Sequence, residues 1–164
     1  MLVRKTTISD VEEVVAIYEE AKHFMKEHDN PTQWDSLYPS KNIVLEDIQK
    51  ENGYVVVNDN KIIGVFALIF GDDPTYQVIK GSWLNNHSYA TIHRIAARTN
   101  SKGTLKAAVD FALTKIDNIR IDTHEDNYVM KNALDKLGFV KCGIIYLPSK
   151  AERVAFQYVK KDMK

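Results

Sequence analysis

Apolar residues along this chain recur with two different spacings, and the order of these spacings indicates the fold class. Spacings of three and four are typical of amphipathic helices, whereas short apolar or alternating runs are typical of strands. One helix is predicted to begin at a capping box between Ser9 and Glu12 and to end near Glu27, and others lie at about 42–52, 104–116 and 126–137. Strands are predicted at 2–5, 54–57, 62–70, 91–97, 119–122, 139–147 and 153–159.

The resulting order, β-α-α-β-β-β-α-β-α-β-β, predicts the architecture. It indicates an α/β protein in which a mixed, central twisted sheet of about six or seven strands is flanked by about four helices. Segment 62–70 is apolar on both faces, so it is expected in the middle of the sheet. Two segments lack a regular pattern: a loop with two prolines at 28–41 and a polar stretch at 71–90.

Length and composition favour a single domain over residues 1–164, with 45% hydrophobic residues to form its core. Lys+Arg and Asp+Glu are both 22, so the net charge is zero. This balance argues against a nucleic-acid partner, because such binding depends on a basic surface.

The single cysteine, Cys142, allows no intramolecular disulfide and favours a reducing compartment. We expect it to be a small buried apolar residue on its strand. The N-terminus has no apolar stretch of signal-peptide length, and the longest apolar run, 62–70, is about half of a membrane span. These features predict a cytoplasmic protein without a membrane partner.

The turn before the helix at 104–116 is rich in small, polar and basic residues, Arg98-Thr-Asn-Ser-Lys-Gly103. The first amides of a helix lack internal partners and carry partial positive charge, and a glycine lets a ligand approach them closely. The turn is therefore either an ordinary connection with solvated cations or a phosphate-binding site. Neither a P-loop nor a G-x-G-x-x-G motif is present.

A second motif follows in the segment from Ile119 to Leu147, which reads as a strand, a helix ending in Leu137-Gly138-Phe139 and another strand. Together with the preceding turn and the element order, it resembles the GNAT N-acetyltransferase superfamily. The resemblance implies a GNAT-like acyl-CoA N-acyltransferase fold with acetyl-CoA as co-substrate. In that family the turn has the pattern Arg/Gln-x-x-Gly-x-Gly/Ala and holds the pyrophosphate. Here Asn100-Ser-Lys-Gly103-Thr-Leu105 keeps only the central glycine, in a turn about two residues shorter.

The resemblance also implies which groups hold acetyl-CoA. The main chain of Ile95 and Ala97 would pair with the pantetheine arm, and Asn127 would lie near that arm. Lys102 or Arg98 would compensate for the changed turn. The pyrophosphate would face the amides of Ser101, Lys102, Gly103 and Thr104.

Acetyl transfer needs a base that takes a proton from the amine, and it benefits from an acid that protonates the leaving thiolate. The family transfers the acetyl group directly, so the resemblance requires no nucleophilic cysteine. Its usual acid is a tyrosine five residues before the phenylalanine, and that position is Leu134 here. Tyr146 or Tyr128 could replace it, unless Tyr146 packs in its strand and Tyr128 faces solvent.

The candidate bases are His93, His124 and Glu125, because they lie on or just after strands beside the expected cleft. His124 and Glu125 could instead cap the following helix, and His93 could be a satisfied strand histidine. No group of histidine, cysteine and acidic residues has zinc-ligand spacing, so no metal is predicted.

The acceptor pocket is expected under the loop that follows the first helix. Gln33 and Trp34 place an amide beside an aromatic ring that can cover an apolar or cationic substrate. Trp83 is a further candidate, and Trp34 could instead only fill the edge of the core.

These features predict an N-acetyltransferase that moves an acetyl group from acetyl-CoA to a primary amine of a small molecule. Two alternatives stay open: acetylation of a protein N-terminus or lysine, and a CoA-binding module without turnover. A closed pocket would favour the small molecule, whereas an open groove would favour a protein. Apolar strands near the C-terminus could also pair between subunits of a homodimer.

Overall fold

Twelve helices and strands form from residues 1–35 and 37–161, which are the residues that the computed structural model describes. In chain order these are β1 (Leu2–Lys5), α1 (Val11–Glu27), α2 (Lys41–Gln49), β2 (Gly53–Asn58), β3 (Lys61–Phe70), β4 (Ile79–Gly81), β5 (Ala90–Ala97), α3 (Thr104–Leu113), β6 (Asn118–Thr123), α4 (Tyr128–Lys136), β7 (Val140–Tyr146) and β8 (Glu152–Val159). None of the helices in these residues combines the length and the apolar character needed to cross a bilayer.

The predicted fold class is confirmed: one mixed sheet is flanked by α-helices. The strand order is β1-β2-β3-β5-β6-β8-β7-β4, in which β5 and β6 are parallel and every other neighbouring pair is antiparallel. The sheet has eight strands rather than six or seven, because Ile79–Gly81 in the unpatterned stretch pairs with Gly143–Ile145 of β7. Three residues are too few to give a periodic signal.

Both faces of the sheet are covered, as the apolar pattern of segment 62–70 predicts. Phe66 and Leu68 of β3 pack with α3 and α4 on one face, which we call the α3 face. Val65 packs with α1 and α2 on the opposite face, which we call the α1 face. A smaller cluster around Tyr76 and Tyr89 lies beside the last strands.

A short 3₁₀ turn, Ile8–Asp10, which the sequence pattern does not predict, leads directly into the first helix. The capping box is formed by Thr7 and Asp10, not by Ser9 and Glu12: the Asp10 carboxylate accepts the Thr7 amide at 2.8 Å. Arg4 binds the same carboxylate, and this hydrogen bond is the main reason why the pKa of Asp10 falls to about 2. Arg4 of β1 thus holds the carboxylate that closes the turn before α1.

Candidate active site

Strands β5 and β6 separate soon after they begin. Over the whole described length of both strands, the parallel ladder contains only Ala90–Ile119 and Thr91–Arg120. A cavity of about 500 Å³ follows, and residues 92–95 of β5 and 121–123 of β6 line it. Main-chain groups that leave a ladder need other partners, so this gap can accept an extended ligand as a partial extra strand.

A β-bulge in β5 turns the consecutive side chains of His93 and Arg94 toward the α1 face. His93 pairs with Ala67 and Ala96 pairs with Val65, so Arg94 and Ile95 together stand opposite Phe66. Arg94 has a φ of 50°, which is strained for a residue other than glycine. The surrounding side chains hold this conformation, and both His93 and Arg94 line the cavity.

Three side chains stabilise the bulge at Arg94. The Tyr18 hydroxyl donates to the Arg94 carbonyl at 2.8 Å, and burial raises the pKa of Tyr18 so that the phenol keeps its proton. The guanidinium donates twice to Asp47 of α2, at 2.6 and 3.1 Å, and also donates to the Tyr38 hydroxyl. The α1 and α2 helices therefore fix the main chain that borders the cavity.

Asp73 and His93 form a hydrogen-bonded pair in the cavity wall. His93 Nε2 lies 2.8 Å from Asp73 Oδ2, and the amide and hydroxyl of Thr75 donate to Oδ1. Burial opposes ionisation of Asp73, but these hydrogen bonds outweigh it and lower the pKa to about 2. A carboxylate at this place accepts the Nε2–H proton, so the lone pair of the neutral ring is on Nδ1. Among the described residues Nδ1 has no hydrogen-bond partner.

Asp122, at the end of β6, contributes a second carboxylate to the cavity wall. The Tyr76 hydroxyl donates to its Oδ2 at 2.6 Å. Burial, and then the nearby carboxylate, raise the pKa of Tyr76 well above its usual value, so the phenol stays a donor. Oδ1 of Asp122 accepts no hydrogen bond from the described residues, which leaves it available to bind a cation.

Residues 30–35, here called the roof loop, contribute Thr32, Gln33, Trp34 and Asp35 to the lining of the cavity. The side-chain oxygen of Gln33 accepts hydrogen bonds from Asn30, Thr123 and Asn127, at 2.9, 3.3 and 2.9 Å. Arg153 donates to the Gln33 carbonyl at 3.1 Å. Contacts with β6, β8 and the start of α4 therefore fix the loop to the β6 side of the cavity.

The turn before α3 is divided into a closed half and an open half. In the closed half, the Ser101 amide donates to the Arg98 carbonyl, and the Thr99 amide and hydroxyl donate to the Glu20 carboxylate of α1. In the open half, Gly103 has a φ of 96° and begins α3. Among the described residues, the amides of 102–106 donate to no protein acceptor, so this helix end can bind an anion.

Comparison with known proteins agrees with this geometry. No protein-family model matches the sequence, and no curated protein matches it. Among solved structures, a GNAT-family acetyltransferase from Streptococcus agalactiae is 29% identical, covers 98% of this chain and 96% of its own, and has a TM-score of 0.88. The chain belongs to the GNAT superfamily.

More distant GNAT structures share the fold. A proposed acetyltransferase from Staphylococcus aureus is 23% identical over 98% of this chain and 100% of its own, with a TM-score of 0.70. The NatC complex bound to a Gag peptide and CoA is 14% identical over 98% of both chains, with a TM-score of 0.62. At these identities the likeness shows the fold alone.

The structure brings five of the predicted site residues of this GNAT protein to one cavity. They come from three separate parts of the sequence, and the cavity lining contains Gln33, Trp34, His93, Ile95 and Asn127. Trp34 also packs edge-on against Tyr18 at 5.7 Å between ring centroids, so it both borders the cavity and fills the edge of the core. Asn127 additionally caps α4 by accepting the Met130 amide at 3.0 Å.

Four of the predicted catalytic and acceptor-binding residues lie outside the cavity lining. Tyr146 is on β7, where the strand alternation places buried Ile145 on the other side. Glu125 is exposed beyond the rim. Trp83 packs on Tyr76 and donates to its carbonyl at 3.0 Å, away from the gap. His124 accepts the Asp126 amide at Nδ1 and lies 3.1 Å from the Thr32 hydroxyl at Nε2, which uses both ring nitrogens structurally.

The predicted cofactor residues fall into two groups. Lys102, Gly103 and Thr104 form the open helix end, whereas Ser101 belongs to the closed half of the turn. Arg98 faces away from the helix end: its Nε donates to the Ile62 carbonyl and its Nη2 to Glu13 of α1. Ala97 pairs with Gly64 of β3.

Sequence reasoning missed Asp73 and Asp122, two of the carboxylates that line the cavity. Asp73 lies in the polar stretch without a pattern, and only folding brings it to His93. Asp122 was visible, since it alternates with Ile119 and Ile121 on a buried strand, and a charge at such a position is a useful signal. Leu134, at the position of the usual acid, is completely buried in the core. Cys142, expected to be buried, is half-buried.

Proposed function

We propose that this GNAT protein transfers the acetyl group of acetyl-CoA to the primary amine of a small molecule, by direct attack while both substrates are bound. The observation that carries the proposal is the early separation of β5 from β6, which joins an open strand edge to a cavity whose lining includes Asp73, His93 and Asp122. The Streptococcus relative is described as an acetyltransferase, and the NatC complex contains CoA.

The helix end at α3 has the chemistry to hold the diphosphate of acetyl-CoA. Its amides at 102–106 have no protein acceptors among the described residues, and the exposed Lys102 adds positive charge. The Thr99 amide already donates to the Glu20 carboxylate, and the Ser101 amide donates to the Arg98 carbonyl. We therefore assign the diphosphate to residues 102–105 and not to the preceding half of the turn.

The cavity residues suit an amine acceptor. Acetyl-CoA, when bound, supplies an activated acetyl group with a thiolate as leaving group. Asp122 attracts the ammonium form of the acceptor, and Nδ1 of His93 takes the proton whose removal frees the nitrogen lone pair. The C–N bond then forms as the C–S bond breaks, and the second amine proton becomes the thiol proton of the product. Asp73 stabilises the imidazolium that His93 becomes.

The roof loop favours a small acceptor over a protein. Its Gln33, which lines the cavity, is tied to β6, α4 and β8 by hydrogen bonds. A polypeptide acceptor would need this loop to move and would lose these hydrogen bonds.

The proposed reaction is tested by measuring CoA release with a panel of small primary amines, N-terminal peptides and lysine peptides. Mass spectrometry identifies the acetylated product, and calorimetry measures acetyl-CoA binding separately. We expect release with small amines. CoA release with peptides alone would show that the acceptor is a protein and not a small molecule. Acetyl-CoA binding without CoA release on any amine would indicate a binding module.

Gly103→Val is expected to weaken acetyl-CoA binding by about tenfold or more, because a side chain added at this left-handed residue would collide with the Met1 side chain and displace the amides that hold the diphosphate. The matched control is Gly71→Val. Gly71 has the same φ of 96° but lies in open space away from α3, so it carries the same backbone strain without the ligand. Calorimetric titration of both variants with acetyl-CoA separates backbone strain from loss of the ligand site. Equal affinities would show that the diphosphate does not bind at this helix end.

A further inference from the structure

A second cavity, of about 250 Å³, lies beside the active-site cavity. Arg120 of β6 forms part of its wall together with Trp83, Tyr89 and His87. Tyr76 stands between the two cavities: it lines the second one, and its hydroxyl donates to Asp122 in the first. The second cavity is therefore adjacent to the acceptor site but separate from it.

Arg120 is a buried cation with few partners. Only 5% of its surface is exposed, and a guanidinium has five N–H groups to satisfy. Nη2 donates to the Asn85 carbonyl at 2.9 Å, whereas Nε is buried without any partner. No carboxylate among the described residues forms an ion pair with it. Burial lowers the pKa of Arg120, and the nearby Tyr89 and Cys142 side chains offset this only in part.

Two aromatic rings cover the faces of the guanidinium, and the protein encloses Nε. Nη1 has no hydrogen-bond partner among the described residues, so its edge of the guanidinium remains to meet a ligand. The Arg120 Cζ atom lies 4.2 Å from the ring centroid of Trp83 and 4.0 Å from that of Tyr89. Such contacts stabilise the charge through the ring faces. They satisfy no N–H group, because those groups point outward in the guanidinium plane. Arg94, in contrast, has both Asp47 oxygens in its plane.

A buried polar network holds the loop at 82–89 that supplies these rings. Gln157 is completely buried, donates to Asn118 at 2.6 Å and accepts the Leu84 amide at 2.8 Å. Asn118 in turn donates to Asn85 at 2.9 Å. A buried network in which every polar group has a hydrogen-bond partner favours one arrangement of the loop, so the second cavity is preformed.

We propose that the second cavity binds a small organic carboxylate, with the edge of the Arg120 guanidinium as its charged anchor. A planar carboxylate matches the fork of an arginine and carries one charge, which one guanidinium can neutralise. A phosphate dianion fits less well, since Asp72 also lines the cavity and the described lining contains no second arginine or lysine. Gln77 and His87 add hydrogen-bonding groups around the anion.

The two tryptophans make the proposal directly testable, because they border different cavities. Trp34 lines the active-site cavity, and Trp83 lines the second cavity. Their indole N–H signals are followed by NMR while the full chain is titrated with sodium propionate at constant ionic strength. Sodium chloride, propionamide and methylphosphonate are titrated in parallel. We expect a saturable shift of the Trp83 signal with propionate only. A shift of Trp34 alone, or an equal response to any of the other three compounds, would overturn the proposal.

Arg120→Gln is expected to abolish the propionate response, and Lys115→Gln to leave it intact. Lys115 is an exposed cation on the Phe111 ring, so its variant loses the same charge elsewhere on the surface. If Arg120→Gln does not fold, Arg120→Lys keeps the charge without the planar fork, and its affinity for propionate is expected to fall at least tenfold. An unchanged response in whichever Arg120 variant folds would show that the anion binds elsewhere.

Discussion

Replacing His93 with glutamine is expected to lower kcat/KM for the acetylated amine by about 10²–10⁴-fold, the usual contribution of a general base. The glutamine amide can still donate to Asp73, so the fold around the cavity is kept while the lone pair on Nδ1 is lost. Stopped assays of CoA release with the best amine of the panel give the comparison.

His23→Gln is the matched control for this variant, because His23 is an exposed histidine on α1 that does not line the active-site cavity. Calorimetry is expected to show unchanged acetyl-CoA affinity in both proteins. If His93→Gln kept the parental kcat/KM, His93 would not be the base, and we would assign that role to Asp122. The kcat/KM of Asp73→Asn is expected to lie between those of the parent and of His93→Gln, since this change removes only the charge that stabilises the imidazolium.

Removing the Asp47 side chain is expected to destabilise the protein by roughly 3–5 kcal/mol, the cost of leaving a buried charge without its partner. Side-chain exposure is 13% for Arg94 and 11% for Asp47, so water cannot replace the lost carboxylate easily. Arg94 is also the strained residue of the bulge, and Asp47 accepts two of the hydrogen bonds that hold it there. Urea unfolding of Asp47→Ala measures the free-energy difference.

Glu46→Ala provides the control one residue earlier on the same helix. Glu46 pairs with Lys50 on the exposed side of α2, and surface pairs of this kind contribute little to stability. If the two variants unfolded at the same urea concentration, the Arg94–Asp47 pair would have no special role. Loss of acetyl-CoA binding in Asp47→Ala while it is still folded would show that the bulge also shapes the cavity.

The sequence predicts the elements well wherever burial repeats at regular intervals. Segment 62–70 is apolar at successive positions, and it became β3, covered on both faces. The helix at α3 begins at Thr104 as its pattern predicts, with Gly103 in the left-handed conformation that favours glycine. These features depend on local spacing and on the backbone freedom of one residue, which a single sequence contains.

The contact between Asp73 and His93 could not be predicted, because it joins segments that are distant in sequence. Asp73 meets His93 only because the polar stretch folds back over β5, and nothing periodic marks Asp73 in advance. The same applies to the two tryptophans, which are both pocket candidates in the sequence but border different cavities. Hydrogen-bond partners across such separations are selected by packing.

The sequence by itself therefore determined the order of helices and strands, the mixed α/β class and the amide-rich entry to α3, since each follows from local periodicity or turn chemistry. Only the tertiary structure decided that β5 and β6 part after two residue pairs, that Glu20 closes half of the turn, and that Asp73, His93 and Asp122 share one cavity. The physical reason is that local patterns record which side of an element is buried, whereas the site depends on which buried sides meet.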